Sequence, residues 1–385
     1  MRRVIAGLIV AVALLAQQPS RTTFEEREAF LLSNGPLALT IFPTGATVAD
    51  LVLTDDAGKI SPIWNPVRLA REAGQPPRFG ASFGHFLCVD GFGPVSAEEQ
   101  AAGLRGHGEA HVQTFEVVSY KKAGKVTELT MSAKLPLLQE NVVRTYRMAE
   151  GENVVHVLTE IENLLAFDRP MVWAEHATIG APFLERGQTA VDLPAGRSRT
   201  RPYQERAARA GAAEKRLASD REFTWPNAPL ADGGHTDVRI APLGTNSTDH
   251  TTTAFDASRK HVYVTAIHPG KRLIFGYVLK REEFPWLQSW EFYPSSNTLA
   301  RGLEFSTQPF DVPRRQAIDT GRMFGIPTYR WLPARSKVGS HFLMFYARTP
   351  ANFTQVDDLR VESGEIVIED RRSGQTIRLR SETAF

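Results

Sequence analysis

Four clusters in this chain carry side chains that can move protons or hold polar ligands. The first surrounds His176, which follows Glu175 directly and Asn163 across a short polar turn. An imidazole titrates near neutrality, so a histidine placed where a strand meets a Gly/Pro-broken segment can donate and recover a proton. The competing reading is a core histidine satisfied by a backbone carbonyl. The second cluster is His107-Gly-Glu-Ala-His111. Two histidines four apart share one face of a helix, as zinc sites exploit. Gly106, Gly108 and the β-rich run that follows instead favour a loop entering a strand, so no metal is expected. The third is Glu304, in the apolar run Gly302-Leu-Glu-Phe-Ser306. Burial would raise its pKa toward the working range of a general base, although strand alternation taken alone turns it outward. The fourth is the aromatic, Gly-rich stretch 83–94, to which Trp225, Trp286 and Trp290 add ring surfaces. Such surfaces suit the apolar face of a sugar, and they are equally the material of an all-β core.

Other chemistries have no support. The chain lacks a Gly-x-Ser-x-Gly elbow, a phosphate-binding Gly-x4-Gly-Lys-Ser/Thr loop, a His-Glu-x-x-His pair and a Cys-rich metal motif. Serine or cysteine nucleophiles, nucleotide use and zinc proteolysis therefore lose ground, and no cofactor is expected. The single cysteine, Cys88, reads as a small buried hydrophobe.

Met-Arg-Arg followed by an apolar run from Val4 to Ala16 has the charged and hydrophobic regions of a secretory leader, too short to span a bilayer. Residues 1–16 are expected to be removed and the protein exported, to a periplasm or beyond the cell. Loss of Arg2 and Arg3 brings the formal charge of +2 to about zero. That argues against nucleic acid as a partner, and against a membrane once the leader is cleaved. Oligomeric state is not indicated.

The elements that must position these groups read almost entirely as strands. Segments 30–32, 37–42 and 47–53 are separated by Ser-Asn-Gly-Pro36 and Pro-Thr-Gly45 turns. Segments 113–120 with 126–133, and 141–148 with 154–161, read as hairpins, and further strands follow at 262–266, 273–279, 303–307 and 341–347. This spacing is that of a large all-β sandwich, one unit over 21–350. Residues 205–217 have helix-forming composition without an apolar face and read as an exposed helix or mobile insertion. The eight basic residues of 197–221 read as solvated surface, 96–104 as a short helix, and 351–385 as a C-terminal hairpin outside the main core.

Taken together, the motifs resemble the aldose 1-epimerase (galactose mutarotase-like) superfamily over roughly residues 28–348. The segment from Leu32 to Gly45 is similar to that family's opening hairpin, and His107-Gly108 resembles its first histidine motif. Asn163 with His176 and Gly180-Ala-Pro-Phe-Leu184 resembles the second, and Leu303-Glu304 before Thr307 and Pro309 resembles the glutamate motif. The resemblance implies a β-supersandwich whose concave face holds a small sugar, with Glu304 as general base, His176 as general acid and His107 bonding the ring or anomeric oxygens. It also suggests substrate contacts from Asn163, Asp237 and Trp290. Arg78 and Arg105 are candidates for a pocket arginine, with His85 as an alternative for that place. A non-catalytic carbohydrate-binding protein, and a polysaccharide lyase or hydrolase, are compatible with the same fold.

Overall fold

The structure, a computed structural model, describes residues 18–77, 83–203, 213–381 and 385. The leader, Arg78 and most of the 205–217 segment lie outside the described residues.

Alternation sets the architecture. Along Val126–Leu135 every second side chain is buried, Leu129 and Met131 among them, and Glu140–Ala149 repeats the pattern. Such strands must cover one face. They belong to an eight-stranded antiparallel sheet whose centre is His261–His268, Leu273–Lys280, Lys337–Arg348 and Val154–Asn163. A second sheet, 12-stranded among the described residues, runs from Ser20–Phe24 to Glu222–Thr224. The two pack face to face around one continuous core, where Leu87, Trp173, Leu287 and Phe305 of the larger sheet meet Leu129, Val157, Tyr277 and Phe342 of the smaller.

That core contains one ionic island. Glu175 is fully buried, accepts two bonds from Arg144 at 2.9 and 2.8 Å, and lies 2.8 Å from His85 Nε2. Burial alone would raise the Glu175 carboxyl, but Arg144 and His85 outweigh it and hold it at about 2.

The chain beyond residue 350 builds a three-stranded sheet from Asp358–Glu362, Glu365–Asp370 and Gln375–Arg380, one strand more than the hairpin expected. It lays Leu359, Ile366, Ile368 and Leu379 on the outer face of the eight-stranded sheet, against Ile267, Ile274, Leu343 and Phe345. Helix is sparse, and Ala97–Ala101 supplies the short helix expected within 96–104, closed by a Ser96/Glu99 capping box. The described part of the 205–217 segment is not helical: Glu214 and Leu217 form isolated bridges to Ser247 and Leu230. Nor are the basic residues there uniformly solvated. Arg216 is held by Asp249 and Glu291, and Arg201 by Asp311. A helix without an apolar face has nothing to bury, whereas arginines can pair with carboxylates that the strands already bury.

Candidate active site

The inner strands of the larger sheet are His85–Val89, Trp173–Gly180, Glu304–Ser306, Trp286–Tyr293 and Ser247–Phe255. Their register carries odd-numbered side chains such as Glu175, Leu87, Phe305 and Leu287 into the core. Even-numbered ones go to the opposite face. Ala174 pairs with Ser306, His176 with Phe86, Gln288 with Glu304 and Thr252 with Gln288. One row of side chains therefore runs across the sheet as Phe86, His176, Glu304, Gln288 and Thr252. A neighbouring row carries Trp290 beside its partner His250.

On this face His176 Nε2 stands 3.4 Å from Glu304 Oε1. The His176 ring lies parallel to Phe86 at 4.3 Å and meets His107 edge-on at 4.9 Å, while its Nδ1 is 3.1 Å from the Thr178 hydroxyl. Thr178 thus occupies one ring nitrogen and leaves Nε2 toward Glu304. His107 comes from the loop, at φ +65°, an uncommon conformation for a side-chain-bearing residue. Gly108 after it has φ +78°, and an added Cβ would sit 2.1 Å from the Val89 carbonyl oxygen, so only glycine fits. The Gly93 amide donates to His107 Nδ1 at 3.4 Å, which places the proton of the neutral ring on Nε2. His111 occupies a short 3-10 turn with its ring 6.1 Å from His107, at right angles, rather than on a shared helix face.

Burial governs the charge states. It pushes the Glu304 carboxyl well above its ordinary value, and the Asp311 carboxylate nearby adds to this while Arg201 opposes it. Burial, then His107, drive His176 well below the usual imidazole value. His107 is lowered by burial against the pull of Asp311. Both shifts favour a proton on Glu304 over one on His176.

Several buried polar atoms here have no hydrogen-bond partner among the described residues: Glu304 Oε1, Gln288 Oε1, Gln308 Oε1 and His250 Nε2. The amide nitrogens of both glutamines are tied to backbone, Gln288 to Gln308 and Gln308 to Phe92 and Phe310, which leaves the carbonyl oxygens as free acceptors. Orphaned buried acceptors carry a desolvation penalty that a ligand rich in hydroxyl donors removes.

No protein-family model matches this chain, and no curated protein matches it significantly in sequence. Solved structures do match in fold. A galactose mutarotase-like protein from Clostridium acetobutylicum superposes with a TM-score of 0.58 at 10% identity, over 86% of this chain and 99% of that one. A galactose mutarotase related enzyme from Lactobacillus acidophilus gives 0.54 at 12%, over 85% and 100%. The fold is galactose mutarotase-like. A further galactose mutarotase-like protein, from Lactobacillus casei, matches at 0.53 and 14%, over 83% and 100%.

Within this mutarotase-like fold, the structure brings together His107, His176 and Glu304, with Trp290 on the same face. Trp290 is half-buried, set edge-on to Trp64 at 6.0 Å and parallel to Phe292 at 5.7 Å. Three expected substrate contacts are placed elsewhere. His85 is odd-numbered on its strand, so it points into the core between Glu175 and the Tyr277 hydroxyl. Asn163 belongs to the other sheet and is fully buried, where it donates to the carbonyls of Phe167, Leu332 and Pro333 and accepts from the Leu165 amide. It locks a turn. Asp237 is exposed and engaged by the amide and guanidinium of Arg239. Arg105 is exposed. Gln288, His250, Asp311 and Arg201 were not anticipated. For Gln288 and His250 the signal was even spacing along strands next to Trp290, legible once register is known; Arg201 and Asp311 lie in loops and gave none. A separate cavity of about 460 Å³ lies beside the C-terminal sheet, but its Asp192–Arg239 and Arg259–Asp358 pairs satisfy one another, and it is remote from these residues in the sheet order.

Proposed function

We propose that this chain is an exported sugar-binding isomerase that interconverts the anomers of a small aldose through His176 and Glu304. The observation that supports it is the 3.4 Å separation of His176 Nε2 and Glu304 Oε1 on a ligand-accepting face. Anomer interconversion removes the proton of the anomeric hydroxyl and protonates the ring oxygen; the ring opens, the aldehyde rotates, and the reverse transfers close it. A base and an acid are needed at once, and a pair that shares one proton is both. Sugar hydroxyls donating to the carboxyl oxygen would favour the arrangement with Glu304 ionised and His176 protonated, so that Glu304 takes the hydroxyl proton and His176 gives one to the ring oxygen. His107, with its proton on Nε2, would bond the ring or anomeric oxygen. The protons exchanged in closing restore the starting pair.

Polarimetry on freshly dissolved single anomers tests this. Wild type should speed equilibration for at least one aldose, and Glu304→Gln and His176→Asn should each abolish the effect while remaining folded. Calorimetric binding of sugars with no acceleration by wild type would select a non-catalytic binding protein. The leader reading predicts that the mature protein begins near Gln17 and is recovered outside the cytoplasm, as N-terminal sequencing of the exported fraction would establish.

A further inference from the structure

His250 is a titratable side chain on this face for which the proposed proton transfers have no use. It is 4% exposed, and its Nε2 is buried without a partner among the described residues. Its Nδ1 lies 3.1 Å from Asp311 Oδ1 and 3.3 Å from the Arg201 guanidinium, which itself bonds Asp311 at 2.7 Å. Its backbone is clamped as well, since the Tyr203 hydroxyl accepts from the His250 amide at 2.8 Å. The ring is therefore fixed through Nδ1 while its buried Nε2 stays unsatisfied, and a buried nitrogen held so firmly is suited to meet a ligand.

Register gives the distance. Glu304 pairs with Gln288; two residues further along that strand, on the same face, Trp290 pairs with His250. His250 thus stands two strands and one row from Glu304, roughly 10–12 Å between Cα atoms at ordinary sheet spacing. One hexose ring with a hydrogen bond of about 2.8 Å at each end spans such a gap.

Charge narrows the ligand further. Among the described residues, the cations at this end of the face are engaged: Arg197 with Glu222, Arg199 with Asp220, Arg201 with Asp311, and Lys215 over the Tyr203 ring at 4.6 Å. Arg201 and Asp311 offset one another, and Glu304, when ionised, would repel an acidic sugar.

We propose that His250 is a hydroxyl-recognition residue at the end of the cleft opposite His107, and that with Asp311 and Arg201 it restricts the cleft to neutral sugars bearing a hydroxyl there. This rests on the sugar-binding reading above. The test is calorimetry of neutral aldohexoses, their monodeoxy analogues, a hexuronate and a hexose phosphate with wild type, His250→Ala and His250→Gln. His250→Ala should weaken the preferred neutral hexose by about ten- to hundredfold. It should leave unchanged the affinity for the one monodeoxy analogue that lacks the recognised hydroxyl. His250→Gln, which keeps an acceptor, should recover part of the loss for the parent sugar alone. An equal loss for every analogue, or no loss in either variant, overturns the role of His250 while the sugar site stands. Equal wild-type affinity for the hexuronate or the hexose phosphate overturns the neutral-sugar restriction. Failure of wild type to bind any sugar overturns the sugar-binding reading and this proposal with it.

Discussion

At the scale of single residues, one buried carboxyl sets both chemistry and cost. Burial favours the neutral form of Glu304, where an unfolded chain would ionise it above about pH 4.5. A raised folded pKa stabilises the fold below the unfolded value and loses that contribution as pH rises toward the folded one. Glu304→Gln should therefore be at least as stable as wild type at pH 7–8, with the advantage fading below about pH 4.5; thermal midpoints across pH would show it. The same variant should lose on the order of 10²–10⁴ in anomerisation rate. Because His176 is driven below the ordinary imidazole value, the one-proton form of the pair persists through it. kcat/KM should stay level from pH 7.5 to about 6, across the usual histidine range; an acid limb centred near 6.5 would show that His176 titrates as an exposed imidazole and sink this account.

At the scale of elements, two glycines shape the site. An alanine Cβ at Gly302 would lie 2.4 Å from Glu304 Oε1, since the carboxyl folds back over that residue on the same strand face. Gly302→Ala should displace the carboxyl and reduce kcat by at least tenfold with little change in thermal midpoint, because a side-chain end can move where backbone cannot. Gly108→Ala meets backbone, Val89 O at 2.1 Å, with φ +78° as well. It should cost about 1–3 kcal/mol in a denaturant titration and disturb His107 too. Strand positions were the most legible part of the chain. Residues 37–42 and 47–53 form strands over those same spans, and 126–133 and 154–161 fall inside longer ones. Alternation along the strand turns Glu175 into the core, away from the face that carries His176. His85 went astray because the face of a short, wholly buried strand cannot be read without knowing what pairs with it.

At the scale of the whole molecule, the two sheets are pinned by the Arg144–Glu175 pair, which spans them inside the core. Arg144→Met leaves Glu175 buried with only His85 and the Trp173 indole, and should cost about 3–5 kcal/mol at pH 7 by denaturant midpoint. Since Glu175 is depressed to about 2, its contribution is present above the unfolded value near 4.5 and disappears as pH falls through about 2. The difference between Arg144→Met and wild type should shrink over that window. A larger gap at low pH would contradict the linkage.

By itself the sequence determined the all-β class, the sandwich and most strands, because alternation and turn residues are local properties written along the chain; His107, His176 and Glu304 were named through the family resemblance, since alternation alone turned Glu304 outward. The tertiary structure alone decided which face each group occupies and what surrounds it. Asn163, set beside His176 by the chain, was carried into a different sheet, while His250, Gln288, Asp311 and Arg201, scattered over more than a hundred positions, were brought to one face. Charge states belong to the same category. A glutamate is an ordinary carboxylate until packing removes its water, and the strand pairings that enclose Glu304 are what raise its pKa.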